Sequence, residues 1–256
     1  MEEFFLFPFF VVIGLIAGIL GSMIGVGGGI IISPVLTFLG LTPPQVASTS
    51  LFAVSSTSVS STIAYARSNK IQYMLGIKMA LLSIPGAIIG SFFSTGIDPG
   101  YFRFLLAIIL IGTGIYLMFR NSITKGNSFS LESIWIKILF FSGTFVAGII
   151  SSLFGIGGGV IFVPLMILIV GITMHLAAPT SQFVLMITSL VGLTTHIILG
   201  NPEYLPAILL SVGAFGGAQI GSRLSTRLSE QKLRLILGFT FVGIAVRLII
   251  DFYQSI

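Results

Sequence analysis

Of the 256 residues, 55% are hydrophobic and 7% charged, and the mean hydropathy is +1.12, where a soluble domain carries about 25% charge. Apolar stretches near the spanning length of about 20 residues recur throughout, so the chain reads as an all-α polytopic membrane protein with no soluble domain of its own. The net charge of +5 fits cytoplasmic loops and not a nucleic-acid partner, and the absence of cysteine excludes disulfides and thiolate ligands.

The start, Met1-Glu2-Glu3, is acidic and lacks the positive n-region of a cleavable signal peptide. The first apolar unit, Phe4 to Leu39, is broken by Gly25-Val26-Gly27-Gly28-Gly29 and carries Pro34 beyond. Each glycine inside a helix costs about 1 kcal/mol relative to alanine, so three in a row predict a break. Spans are expected over Val46 to Ala66, Met74 to Thr95 and Tyr101 to Phe119, closing a first repeat over 1–119. A polar stretch over 120–132 reads as a cytoplasmic linker. The second repeat, 133–256, opens on Ile134 to Val170, broken by Gly155-Ile156-Gly157-Gly158-Gly159 with Pro164 following. Spans over Ala177 to Leu199, Tyr204 to Ser222 and Leu233 to Ile250 complete it.

The two halves are copies. Gly18 and Gly148, Gly25 and Gly155, and Pro34 and Pro164 correspond at an offset of 130. Later matches, Thr49-Ser50 with Thr180-Ser181 and Gly90-Ser91 with Gly221-Ser222, fall at 131, so one residue is inserted in the second copy. Basic residues cluster at Arg67 to Lys78, Arg120 to Lys137 and Arg223 to Arg234. All three clusters lie inside by the positive-inside rule only if each broken unit enters and leaves on one side. The copies are then inverted, each a re-entrant hairpin plus three spans, and both termini of this multi-pass cell-membrane protein lie outside. Gly29 to Leu39 would reach about 16 Å as a helix, roughly half the hydrocarbon core.

A helix that starts at three glycines offers unpaired amides and the positive end of its dipole, which together suit an anion. Inverted repeats with broken helices place substrate near the midplane. The candidate substrate-binding residues are therefore Gly27, Gly28, Gly29, Gly157, Gly158 and Gly159. The stretch Ser48 to Thr62 holds ten Ser or Thr in fifteen residues. Within it Thr49 and Ser50, repeated as Thr180 and Ser181, join the candidate site, as do Gln182 and His196. Each of these polar side chains could equally bond a neighbouring helix. The spaced glycines Gly14 and Gly18, Gly86 and Gly90, and Gly213, Gly217 and Gly221 read as close-packing devices.

With its paired Gly-x-Gly-Gly-Gly-x-x-x-x-Pro segments, Thr-Ser pairs and Gly-Ala-x-x-Gly-Ser segments (86–91, 217–222), the chain resembles the TauE/SafE family of sulfite and organosulfonate exporters over nearly its whole length. That resemblance implies export of sulfite or organosulfonates such as sulfoacetate. No carboxylate sits mid-span, and neither a metal cluster, a Walker loop nor a nucleophile–base pair is present. The expectation is a secondary transporter, not an enzyme, with no cofactor and no metal, whose partners are a small anion and the lipid bilayer. An anion channel or a non-transporting membrane scaffold are the alternatives, and a homo-oligomer is left open.

Overall fold

The structure is a computed structural model that describes residues 2–123, 134–225 and 230–254, apart from the side chains of 2–6, 117, 119–123, 230–237, 240 and 253–254. The described chain is helical: α1 (Glu2–Ile24), α2 (Gly29–Phe38), α3 (Pro43–Ala66), α4 (Tyr73–Gly96), α5 (Pro99–Ile123), α6 (Ile134–Phe154), α7 (Gly159–Leu165), α8 (Met174–Ile198), α9 (Tyr204–Leu224) and α10 (Glu230–Gln254). α7 runs on as a π-helical segment, Met166–Val170. Helix α5 continues through Ile123, past the expected linker start at 120, and 124–132 lie outside the described residues, as does Arg227.

Six helices, α1, α4, α5, α6, α8 and α9, are long and apolar enough to cross a membrane. This is a multi-pass membrane protein. Helix α3 has the length, 24 residues, but its run of serines and threonines lowers its apolarity. Its position explains that composition. Sixteen of its residues are buried, so it contacts helices on nearly every side, and hydroxyls there meet protein and not lipid.

Glycine stripes set the packing. A Cβ on Gly213 would collide with the carbonyl of Val11, on Gly217 with that of Leu15, and on Gly221 with that of Ile19. The increments match in sign, so α1 and α9 run parallel at backbone contact. In the other half Gly86 meets the Phe145 carbonyl and Gly90 that of Ile149, so α6 and α4 repeat the arrangement. Each half's first helix is therefore seated on the other half's fourth.

Helices α3 and α8 run in opposite directions. Ser55 Oγ donates to Ser189 Oγ at 3.1 Å and Ser61 Oγ to Gln182 Oε1 at 3.0 Å, residue numbers rising on one helix as they fall on the other. The end of α1 lies beside the end of α3, where Tyr65 Oη donates to the Ser22 carbonyl at 2.9 Å. Helix α2 then doubles back, and Ser33 Oγ reaches Ser50 Oγ at 3.2 Å in the first third of α3. One apolar core gathers Ile32 and Leu36 of α2 with Leu106 and Leu110 of α5 and Leu248 of α10. A second joins Met79, Phe140, Phe162, Met166 and Leu185.

The inserted residue is absorbed by the π segment. Glycines of positive φ end the two corresponding helices, Gly40 at 83° and Gly171 at 77°, and their offset is already 131. Between the prolines and these glycines the second copy must hold one more residue, and a widened π turn holds it without breaking the helix.

Candidate functional site

The glycine phrases become two tight loops. Gly25, Gly27 and Gly28 have φ of 84°, 92° and 83°, and Gly155 and Gly157 have 66° and 79°. That left-handed region is open to glycine at little cost and closed to most other residues. In the first loop the Gly21 carbonyl accepts the amides of Gly25 (3.0 Å), Val26 (2.9 Å) and Gly27 (3.2 Å). Gln182 Nε2 donates to the same oxygen at 2.9 Å. Gly158 differs from its counterpart Gly28 in keeping a right-handed φ of −67°.

The loops meet each other. A Cβ on Gly29 would strike the Gly155 carbonyl, and one on Gly159 would strike the Gly25 carbonyl. A methyl placed on Gly27 would lie 3.1 Å from Leu185 Cδ1 and 3.2 Å from Val54 Cγ1, and one on Gly157 would lie 3.3 Å from Val54 Cγ1. Val54 and Leu185 are each the twelfth residue of their helices, counted from Pro43 and Met174. The meeting point is thus halfway along α3 and α8. The two loops are buried and touch through Gly29, Gly157 and Gly159, with Val54 and Leu185 beside Gly27 and Gly157, whereas Gly28 and Gly158 face Ala17 and Ala147 of their own halves. The first amides of α2 and α7, those of Gly29, Ile30, Gly159 and Val160, have no acceptor within their own helices.

The polar candidates form matched pairs. Ser50 Oγ donates to the Gly155 carbonyl and Ser181 Oγ to the Gly25 carbonyl, both at 2.7 Å, so each hydroxyl ties down the loop of the opposite half. Thr49 Oγ1 accepts the amide of Glu203 at 3.2 Å, and Thr180 Oγ1 accepts that of Gln72 at 3.0 Å. Glu203 and Gln72 are the residues that precede α9 and α4. These two threonines therefore satisfy amides at helix starts, at a distance from the glycine loops. Gln182 bridges the Gly21 carbonyl and Ser61. Gln219 Nε2 donates to the Ser60 carbonyl at 3.0 Å.

His196, fully buried, faces the Ser152 carbonyl through Nε2 at 3.1 Å. Its Nδ1 lies 3.1 Å from Asn201 Nδ2. A carbonyl only accepts and an amide NH₂ only donates, so these partners place the proton on Nε2. Tyr65 holds Ser22 in the same way at the corresponding position of the first half. Ser22 and Ser152 were findable from the repeat offset, whereas Asn201 has no such signal. Among the described residues no group of three or more His, Cys, Asp or Glu could hold a metal.

A profile described as "Sulfite exporter TauE/SafE" matches residues 10–248. The chain is 32% identical to the "Probable membrane transporter protein YunE" of Bacillus subtilis (strain 168), over 96% of this chain and 98% of that one. It is 27% identical to the "Probable membrane transporter protein MJ0441" of Methanocaldococcus jannaschii, over 92% of each. A "Sulfite exporter TauE/SafE family protein 6" from Arabidopsis thaliana is 30% identical over 42% of this chain and 25% of its own length. No solved structure matches.

Proposed function

The chain belongs to the sulfite exporter TauE/SafE family, and from that membership we propose that it is a secondary carrier that exports small oxyanions. Sulfite and organosulfonates such as sulfoacetate are the substrates this reading favours. Transport proceeds by alternating access of two inverted halves, in the cell membrane, with both termini outside. The observation that carries the reading is the meeting of the two glycine loops halfway along α3 and α8. Two helix starts there offer amides and dipole ends of one sign to an anion, with no basic side chain to hold it too tightly.

The matched braces support the inverted arrangement. Ser50 and Ser181, Thr49 and Thr180, and Tyr65 and His196 make corresponding bonds, while α3 and α8 run antiparallel. In the conformation described the loops touch, so the anion enters as they part. The amides of Gly27 to Gly29 and Gly157 to Gly159 then hold it, and the serines keep each loop in shape.

The test is counterflow in proteoliposomes. Trans-stimulated uptake of labelled sulfite or sulfoacetate is expected of the carrier. Large conductance without trans-stimulation would make it a channel, and no saturable anion flux would make it a scaffold. A bulky residue at Gly28 is a poor probe of the site, because its Cβ would lie 2.6 Å from the Ala17 carbonyl and the fold would suffer first. Leu185→Ala, which trims the side chain facing both loops, is the informative variant. Leu185 is fully buried in the second core, so the variant costs about 2–5 kcal/mol of stability, and in the fraction that elutes as folded protein it is expected to change the half-saturation for anion by several-fold.

A further inference from the structure

The two glycine loops are braced alike from outside but closed differently within. In the first, the Gly21 carbonyl accepts the amides of Gly25, Val26 and Gly27 and the side-chain amide of Gln182. The corresponding carbonyl of the second half, that of Ser151, collects none of these bonds. The amides of Gly155, Ile156 and Gly157 find no acceptor among the described residues. At the offset of 131, the fully buried Leu51 stands where Gln182 does in the other copy.

One residue accounts for the difference. A Cβ on Gly21 would collide with the amide nitrogen of Gly28, so the first loop wraps under a position that only glycine can hold. Ser151 brings a Cβ to that place in the second half. The second loop cannot wrap as closely, and Gly158 keeps its φ of −67° where Gly28 has 83°. A row of unused donors results. It continues through the amides of Gly159 and Val160 into one apolar helix, Gly159–Val170.

The Ser151 hydroxyl stands on the bond that, at Gly21, runs into the loop. It is 1% exposed and has no partner. Its neighbour Ser152 is as buried, yet its hydroxyl lies 2.6 Å from Ser91 Oγ. Thr57, also unpaired, is a different case. Its copy Thr188 bonds Ser83, and Ala214 holds the position corresponding to Ser83, so Thr57 lacks only a partner that the other half has. The Ser151 hydroxyl instead is added where the first half has glycine.

We propose that the second loop is the half of the site that holds the oxyanion, with Ser151 Oγ donating to it beside the amides of Gly155 to Gly157. The first loop, closed on the Gly21 carbonyl, is the fixed wall opposite. This rests on the carrier reading of the glycine loops and narrows the holding amides chiefly to one of them. Leaving a buried hydroxyl unpaired is costly, and the bound anion removes that cost. A sulfite or sulfonate group fits the donor set, because its several oxygens accept from a hydroxyl and from successive amides at once.

Equilibrium binding of labelled sulfite and sulfoacetate to the purified protein tests this, with melting temperatures taken on the same samples. Ser151→Ala is expected to bind at least fivefold more weakly while melting no lower than wild type, since no bond is lost without ligand. Ser151→Gly, which also lets the loop close, is expected to weaken binding at least as much. Ser152→Ala breaks the Ser91 bond and is expected to do the reverse, melting lower with an affinity within about twofold of wild type. Unchanged affinity in Ser151→Ala overturns the proposal and leaves the carrier reading standing, the hydroxyl then meeting only water. Equal losses of affinity and melting temperature in Ser151→Ala and Ser152→Ala overturn it too, because the effect is then structural. Wild-type protein that binds neither anion retires the carrier reading and this assignment together.

Discussion

Ser50 and Ser181 show how single hydroxyls govern the centre of the molecule. Each donates at 2.7 Å to a loop carbonyl of the opposite half, in a setting where both partners are buried. Ser50→Ala leaves the Gly155 carbonyl without that donor, a loss of about 1–3 kcal/mol, and Ser181→Ala does the same to Gly25. Thermal unfolding in detergent is expected to show similar downward shifts for the two. A large shift for one and none for the other would break the equivalence of the loops. The residue types at the centre were readable in the sequence, because repetition singled out Thr49, Ser50, Thr180 and Ser181. Their bonding partners were not. Thr49 meets Glu203, 154 positions away, and no local pattern records such a pairing.

At the scale of elements, glycine spacing carried the most information. The stripes on α4 and α9 lie against α6 and α1 at backbone contact, as their spacing implies. Adjacent glycines nevertheless differ in consequence. A Cβ on Gly217 would strike the Leu15 carbonyl, while one on Gly216 meets nothing within 4 Å. Gly216→Ala is therefore expected to stabilise the protein by up to about 1 kcal/mol through helix propensity. Gly217→Ala is expected to destabilise it or abolish folding. Size-exclusion profiles and melting temperatures of the two variants decide the matter, and equal behaviour would contradict the seam described. Helix breaks, too, were legible from the glycine phrases, with α1 ending at Ile24 and α2 starting at Gly29. The π segment was not. The sequence shows only that one residue is extra, and a bulge, a longer loop or a longer helix would each absorb it.

For the molecule as a whole, alternating access requires the halves to move against each other, and α3 and α8 form the central seam between them. Ser55 Oγ and Ser189 Oγ are 3.1 Å apart across that seam. A Ser55→Cys, Ser189→Cys pair in this cysteine-free chain is placed to form a disulfide across it. Oxidation is expected to stop counterflow and reduction to restore it. Undiminished flux in fully cross-linked protein would rule out movement along this seam. The class of the protein was evident from composition alone. Which helix packs on which was not, because the seating of α1 on α9 and α6 on α4 is a property of the assembled fold.

That exchange of partners has a consequence in time. Ile24 leaves the ribosome 180 residues before Tyr204, the first residue of α9. At about 5–20 residues per second the glycine face of α1 waits roughly 10–40 s for the helix that covers it. Through that interval the first half is an incomplete object, and the core that α2 and α5 share with Leu248 closes later still, when α10 arrives.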